Sequence, residues 1–440
     1  MRRYVIIGMG AAGIAAAEAI REHDSGGEIL PICEEPDGYY SRPGLAYYLT
    51  GEINECQVFP FSPSDFRRLK LRPIHTRVTG IDPSRHCVYL QDGQTITFDR
   101  LLIATGSSAA MHPLPGITLS GVVKLDNLSD ARRILHLART RQPAVIVGGG
   151  ITALEIVEGL VARGVKVHYL LRGDRYWRNV LDETESAIVE QRLAEHGVVL
   201  HHQTDLAEIL GQDGRVIGVR TQEGRVIRCG IVAIAIGVLP RIELAGAAGL
   251  TLERGILVNE YLETSGADIF AAGDVAQAYD AFSGKHILDT LWGPAREQGT
   301  VAGMNMAGIR TIYRKKVAFN VTRLAGLTTT IIGKVGRGRD DDLVSIARGD
   351  SECWRELPDV IVAQDRFEVN RLRLLVDQKC LVGAVVMGDQ TLSRPVHELV
   401  AHGADIAPIR KYLLQPQVSL TELIAQFWTS WKQSHATQSS

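Results

Sequence analysis

The sequence spells out the same strand–turn–helix signal twice. YVIIGMGAAGIAAAEAI at 4–20 and AVIVGGGITALEIVEGL at 144–160 superpose at a constant offset of 140 positions, with Gly8 on Gly148, Gly10 on Gly150 and Gly13 on Ala153. In each copy a short β-branched run enters a glycine turn and leaves it as Ala-, Ile- and Leu-rich helix. The first glycine permits the tight turn, the second lets backbone approach a phosphate, and the third lets helix pack on strand. The helix N-terminus then offers unpaired N–H groups and a favourable dipole to an anion. A repeat at this spacing is a domain duplication, because solenoid repeats run at about 20–50 residues.

The neighbourhood of each copy supports an α/β reading. In the first, the strand EILPIC (28–33) follows the helix and ends at Glu34, about twenty positions past the turn, where a ribose-hydroxyl acceptor is expected. In the second, VKVHYLL (165–171) ends at Leu171, followed by Arg172 and then Arg175 and Arg178. IATG (103–106) and IAIG (234–237) each close their half. Two dinucleotide folds imply two dinucleotides, and the economical chemistry is hydride transfer from a nicotinamide to a flavin.

Composition excludes several other classes. With 440 residues the chain has room for about two to four domains. A formal net charge of −2 recommends neither nucleic acid nor an anionic membrane as a partner. Apolar runs such as IVAIAIGVL (231–239) fall short of the ~18–20 residues of a spanning helix, and MRRYVIIG enters its glycine turn too early for a secretory leader. The expected location is cytoplasmic. The six cysteines form no CxxC pair and no metal-ligand spacing with histidines, so reduced thiols and no metal site are expected.

Four further stretches resemble the FAD-dependent pyridine nucleotide oxidoreductases: FDRLLIATGSS (98–108), TSGADIFAAGDVA (264–276), LWGPAREQGTVAGMNMAG (291–308) and HTRVTGID (75–82). The resemblance implies FAD at the first turn and NAD(P)H at the second. For FAD it points to Gly8, Gly10, Ala12 and Gly13 in the turn, Glu34 and Glu35 at the strand end, and Arg42 and Pro43 beyond it. It adds Val78 beside adenine, Ala104, Thr105 and Gly106 on the returning segment, Asp274 on the ribityl chain and Trp292 at the isoalloxazine edge. For NAD(P)H it points to Gly148, Gly150, Ile151, Thr152, Arg172 and Gly237. The implied layout is two nested Rossmann-like dinucleotide-binding domains plus a smaller C-terminal α/β domain. FAD-domain segments at 1–112 and 245–318 flank an NAD(P)-binding domain at 113–244, and 319–440 is an interface domain. Within it RLRLLVDQKCLVGAVVMGD (371–389) reads as a hairpin turning near Val376-Asp377-Gln378-Lys379.

The departures from the family narrow the branch. No CxxxxC follows the Glu34 strand, and SRPGLAYYLTG (41–51) offers Pro43 and Gly44 where single-cysteine members place their thiol. Neither residue is a nucleophile, so thiol chemistry is not expected. YYSRPGLAYY (39–48) instead resembles the Y-x-R-P-x-L-S-K element of rubredoxin and ferredoxin reductases, with Ala46 and Tyr47 replacing the serine and the flavin-adjacent lysine. Its relaxed form also resembles the flavin portion of nitrite reductase large subunits. Arg42 is the candidate substitute for that lysine, the alternative being a cation that pins the loop. Glu155 stands at the G-x-x-E helix start near the nicotinamide and flavin, the alternative being a helix-face acid favoured by the dipole. Trp292 joins Arg42 and Glu155 as a catalytic candidate, or is simply core.

The second strand end carries no acid to repel a 2′-phosphate, and arginine pairs with one bidentately. NADPH is thereby favoured or at least admitted, unless the three arginines are only solvated, and Leu171→Glu is expected to shift preference toward NADH. Without a thiol relay, electrons pass to a small iron–sulfur carrier protein of rubredoxin or ferredoxin type. The rivals are an NAD(P)H oxidase or the diaphorase subunit of a nitrite-reductase-like complex, and a non-enzymatic FAD-binding signalling protein. A homodimer or a subunit of a redox complex is expected. In the tail, SLTELIAQFWTSWKQ (419–433) sets Leu420, Ile424, Phe427, Trp428 and Trp431 at helical spacing, a core or dimer seam or a docking face, before a polar, frayed HATQSS.

Overall fold

The computed structural model describes residues 1–280, 284–335, 371–376, 379–413, 415 and 418–436. The expected hairpin turn at Asp377-Gln378, Cys353 and the last four residues of the tail lie outside the described residues. The chain divides into two compact units, one of residues 1–173 and 196–315, the other of 174–195 with the described residues from 316 onward.

The first unit holds two parallel sheets built on one plan. In the first sheet the strand Arg3–Ile7 is central, pairing in parallel with Glu28–Cys33 on one side and Arg100–Ile103 on the other. Ile269–Ala271 extends it beyond Arg100–Ile103, and Ile74–His75 closes the opposite edge. Strands from both ends of the unit's sequence therefore share one sheet. The second sheet repeats the plan, with Ala144–Val147 central between Val167–Leu170 and Ile231–Ile234. The chain leaves the first sheet along Ser107–Ala109 and returns along Val238–Pro240, which pair as an antiparallel ribbon.

Central strands buried on both faces need apolar residues throughout, and Val5, Ile6, Leu101, Leu102, Val145 and Ile146 are all fully buried. Against the first sheet the helix Ala11–His23 packs on the helix Trp292–Ala307 across a seam of small residues. A Cβ on Gly299 would stand 2.1 Å from the Ala12 carbonyl oxygen, and one on Gly303 2.5 Å from that of Ala16. These two backbones are in direct contact, and no larger residue fits the seam.

The second unit centres on an antiparallel sheet in the order Phe319–Leu324, Leu327–Gly333, Leu381–Met387, Arg371–Val376. The paired strands of the 371–389 hairpin are present as read from sequence. In the helix Leu420–Ala436, Ile424 is fully buried, and Phe427, Trp428 and Trp431 pack against the same apolar cluster as Leu399, Ile406 and Ile409. The Trp428 indole donates to Glu398 at 2.8 Å, so these aromatics pack, partly buried, on the unit's own core. The helix Glu183–Glu195 belongs to this unit. Its entry is a capping box in which Asp182 accepts the Glu185 N–H at 2.8 Å and Glu185 accepts that of Asp182 at 2.9 Å. Both carboxylates also hold arginines of the sheet: Arg371 meets Asp182 at 2.7 Å and Arg373 meets Glu185 at 2.8 Å.

Candidate functional site

A cleft of about 590 Å³ lies against the carboxyl ends of the first sheet, within the roughly 300–1,000 Å³ of small-molecule and cofactor sites. The first glycine turn forms its floor. Gly8 adopts φ +108°, and a Cβ there would stand 2.2 Å from the Ala104 carbonyl oxygen. A Cβ on Gly13 would stand 2.0 Å from the Gly8 oxygen, whereas one on Gly10 meets nothing and would project into open space. Two glycines thus serve backbone packing and the third keeps the cleft open. The first turn of the following helix, with Ala11 and Ala12, faces the cleft, and its N–H groups have no intrahelical partner. A dinucleotide phosphate fits this cradle.

Glu34, Arg77, Val78, Thr79 and Gln91 line the cleft. Glu34 is half exposed, with the Arg77 guanidinium 3.8 Å away. Cys33 also lines the cleft, and burial pushes its thiol above the usual range.

Asp274, Thr290 and Trp292 line it as well. Asp274 follows Gly273, whose φ of +81° turns the chain sharply after the strand Ile269–Ala271. Gly273 donates to the Gln298 side chain at 2.8 Å, and Ser107 donates to Asp274 at 2.6 Å. Trp292 begins its helix, with the Arg296 guanidinium 5.4 Å from its ring and paired to Glu18 at 2.8 Å. Behind Thr290, burial pushes the Asp289 carboxyl up to about 6, against Lys315 at 3.9 Å and reinforced by Asp274 and Glu297.

The Arg42–Pro43 element forms a side wall, together with Ala104, Thr105 and Gly106 from the returning segment. Arg42 is one-third exposed, donates to Glu35 at 2.5 Å and also to the Asp126 carbonyl, and lies 5.3 Å from the Tyr40 ring centre. Tyr40 donates to Glu35 at 2.6 Å and accepts the Leu128 N–H at 3.1 Å. Burial alone would lower the Arg42 pKa, but Tyr40 and Glu35 raise it further than that, so it stays charged. Arg42 therefore pins the loop as well as lining the cleft. Asp126, buried beneath it, pairs with Lys124.

The second turn repeats the first in a looser form. Gly148 adopts φ +142°, and its Cβ would stand 2.0 Å from the Ala235 oxygen. The IATG and IAIG echo is thereby explained: Ala104 and Ala235 supply the carbonyls against which the two turns close. Gly150 is open, as Gly10 is. The second turn is held less tightly to its neighbouring strand: Gly148 N–H to the Leu170 carbonyl is 3.4 Å where Gly8 to Ile32 is 2.8 Å. Thr152 and Glu155 are partly exposed on the helix, while Ile151 is buried and offers the site only its backbone. Gly237, at φ +123°, stands just before the return strand Val238–Pro240.

The expectation for Leu171 needs correction. Its N–H donates to the His201 carbonyl at 2.8 Å, its carbonyl accepts from Thr204 at 3.1 Å, and its side chain is buried. The exposed residue at this strand end is Arg172. Arg175 pairs with Asp174 at 3.1 Å, and Arg178 is exposed.

Sequence reasoning missed Thr290, Arg241, Glu243, Leu244 and Ala247, all of which line the first cleft. The last four follow the return strand, Arg241 in the loop after Pro240 and the others on the short helix Glu243–Ala247, and only the closing IAIG hinted at that return. Among the described residues no group of three or more His, Cys, Asp or Glu is placed to hold a metal, and no helix is long and apolar enough to cross a membrane.

A family model for pyridine nucleotide-disulphide oxidoreductases matches residues 2–299. Rhodocoxin reductase of Rhodococcus erythropolis is 32% identical over 77% of this chain and 81% of its own length. Rubredoxin-NAD(+) reductase of Pseudomonas putida is 30% identical over 70% of this chain and 80% of its own. The reductase of a covalent putidaredoxin reductase–putidaredoxin complex shares the fold, with a TM-score of 0.81 and 22% identity over 97% of this chain and 98% of that one. Two parallel sheets on one strand–glycine-turn–helix plan, with a cleft against the first, are thus joined to that sequence match, and the chain belongs to the pyridine nucleotide-disulphide oxidoreductase family as an FAD-dependent enzyme that uses NAD(P)H.

Proposed function

We propose that the chain passes electrons from NAD(P)H to a small iron–sulfur carrier protein without a redox-active cysteine. Bound FAD supplies the conversion of a hydride pair into single electrons. The balance is one NAD(P)H oxidised, two carriers each reduced by one electron, and one proton released. In this reading Gly8, Gly10 and Gly13 with Glu34 hold FAD, Asp274 orients its ribityl chain, and Trp292 covers one edge of its ring. Gly148 and Gly150 receive the nucleotide phosphates, Glu155 faces the nicotinamide, and Arg172 pairs with a 2′-phosphate, favouring NADPH.

The observation that carries this reading is the thiol inventory of the cleft. Cys33 is the one cysteine lining it among the described residues, and burial raises its thiol above the usual range, which disfavours the thiolate a disulfide relay needs. Pro43 stands in the wall where a nucleophilic cysteine would otherwise serve. The names of the rhodocoxin and rubredoxin reductases support a carrier of this class. We further infer a homodimer or a subunit of a redox complex, and a discontinuous FAD domain of segments 1–112 and 245–318.

Anaerobic titration of the flavoprotein with NADH and with NADPH is the test, followed by addition of a rubredoxin or a ferredoxin. Bleaching by a nicotinamide and fast reduction of a carrier are expected. Reoxidation by air that outruns every carrier makes the chain an oxidase or a diaphorase subunit. Absence of bleaching makes it a flavin-binding protein of another kind.

A further inference from the structure

Three arginines line the first cleft, Arg42, Arg77 and Arg241, among five acids, Glu34, Glu35, Asp126, Glu243 and Asp274. Arg42 is committed to Glu35 and the Asp126 carbonyl, and Arg77 stands 3.8 Å from Glu34. The Arg241 side chain alone of the three has no hydrogen bond or ion pair among the described residues.

Its backbone, by contrast, is held on both sides. The Arg241 N–H donates to the Gly106 carbonyl at 2.9 Å, and its carbonyl accepts from the Thr105 hydroxyl at 3.0 Å. Pro240, just before it, pairs with Ser107 in the ribbon. The cation is thus delivered beside the segment whose Ala104 carbonyl closes the glycine turn. A cleft with surplus acid repels a diphosphate, and the partial charge of one helix end offsets only part of that repulsion. An unpaired guanidinium with a fork of donors supplies the missing charge and bidentate geometry.

We propose that Arg241 is a cofactor-binding residue whose guanidinium engages the phosphates of the dinucleotide held in the first cleft. This rests on the reading that the first cleft holds FAD. Because the residue directly follows the strand Val238–Pro240 that returns from the second sheet, formation of the ribbon completes the cofactor site.

The test is FAD titration of the full-length apoprotein, followed by flavin fluorescence at low and high salt. Arg241→Gln should weaken FAD binding by about ten- to a hundred-fold, the scale of a lost charge-assisted contact. It should also flatten the salt dependence of the dissociation constant, while Arg241→Lys recovers much of both. The melting temperature of the apoprotein should not change. Wild-type affinity and salt slope in Arg241→Gln would overturn the proposal. So would weakened binding with an unchanged salt slope, or a lowered apoprotein melting temperature, because either marks a scaffold role. Failure of the wild-type apoprotein to take up FAD would instead overturn the reading of the cleft itself.

Discussion

Gly8 and Ala104 meet backbone to backbone: at φ +108°, a Cβ on Gly8 would lie 2.2 Å from the Ala104 carbonyl oxygen. A Cβ on Gly10, two residues on, would meet nothing within 4 Å. Gly8→Ala should therefore damage the fold and Gly10→Ala only the ligand site. We expect Gly8→Ala to lower stability by about 2–3 kcal/mol or to prevent soluble expression, the scale of combined backbone strain and overlap. Gly10→Ala should melt like wild type as the apoprotein yet bind FAD at least about tenfold more weakly, since a methyl displaces a backbone–phosphate contact. Thermal melts and flavin absorbance of the purified variants separate the two; equal loss of stability would show that Gly10 is structural too.

Arg172, and not Leu171, should read the second nucleotide. Leu171→Glu would bury a charge at a fully covered position and unfold the strand end. Arg172→Glu leaves the core intact and places an acid where a 2′-phosphate would lie. It should lower kcat/KM for NADPH by about ten- to a hundred-fold, the scale of a lost bidentate pair plus repulsion, with NADH unaffected or improved. Steady-state kinetics with both nucleotides decide, and an unchanged NADPH/NADH ratio rules out this strand end as the reader.

Much of this was legible in advance. The glycines, the Glu34 strand end and the IATG and IAIG echo are local patterns whose chemistry is fixed by backbone geometry, and each takes the position its spacing implies. What stayed hidden depends on hydrogen bonds between distant segments. The strand end at Leu171 is set by its bond to His201, which shifts the exposed position by one residue. Arg241 lines the cleft next to the Pro240–Ser107 pair, a contact between segments more than a hundred residues apart. The D-x-x-E capping box at Asp182 can be read from sequence, but not that Arg371 and Arg373 would grip its carboxylates.

Asp289 should make stability depend on pH. Its carboxyl is pushed from 3.8 to about 6 by burial. The folded chain therefore keeps a proton that the unfolded chain releases. The stabilisation is complete below about pH 4 and is lost as pH rises through about 6, worth on the order of 3 kcal/mol at ~1.4 kcal/mol per pKa unit. Asp289→Asn should remove this dependence. Relative to wild type, its melting temperature should rise between pH 4 and pH 7. Parallel calorimetric profiles for the two proteins would show that Asp289 does not titrate in this window.

The grip on the capping box makes a stability prediction for the second unit. Glu185 is fully buried and holds Arg373 at 2.8 Å, with Arg371 at 3.7 Å. Arg373→Leu should cost about 3 kcal/mol, because it strips the direct partner from a buried carboxylate. Adding Glu185→Gln to that variant should restore part of the loss, since a neutral side chain is cheaper to leave unpaired. A double-mutant cycle in thermal denaturation measures the coupling, and strictly additive losses would show that the pair does not act together.

The glycine seam between the helices Ala11–His23 and Trp292–Ala307 has a consequence for biosynthesis. Ala12 touches Gly299, almost three hundred residues further along the chain. The ribosome therefore releases the first glycine turn long before the helix that covers it exists. The intervening second sheet is complete once the strand Ile231–Ile234 has emerged, while the first still lacks Ile269–Ala271 and its covering helix. The nascent protein must carry an open, unfinished cleft through most of its translation, and the second sheet can form before the first is covered.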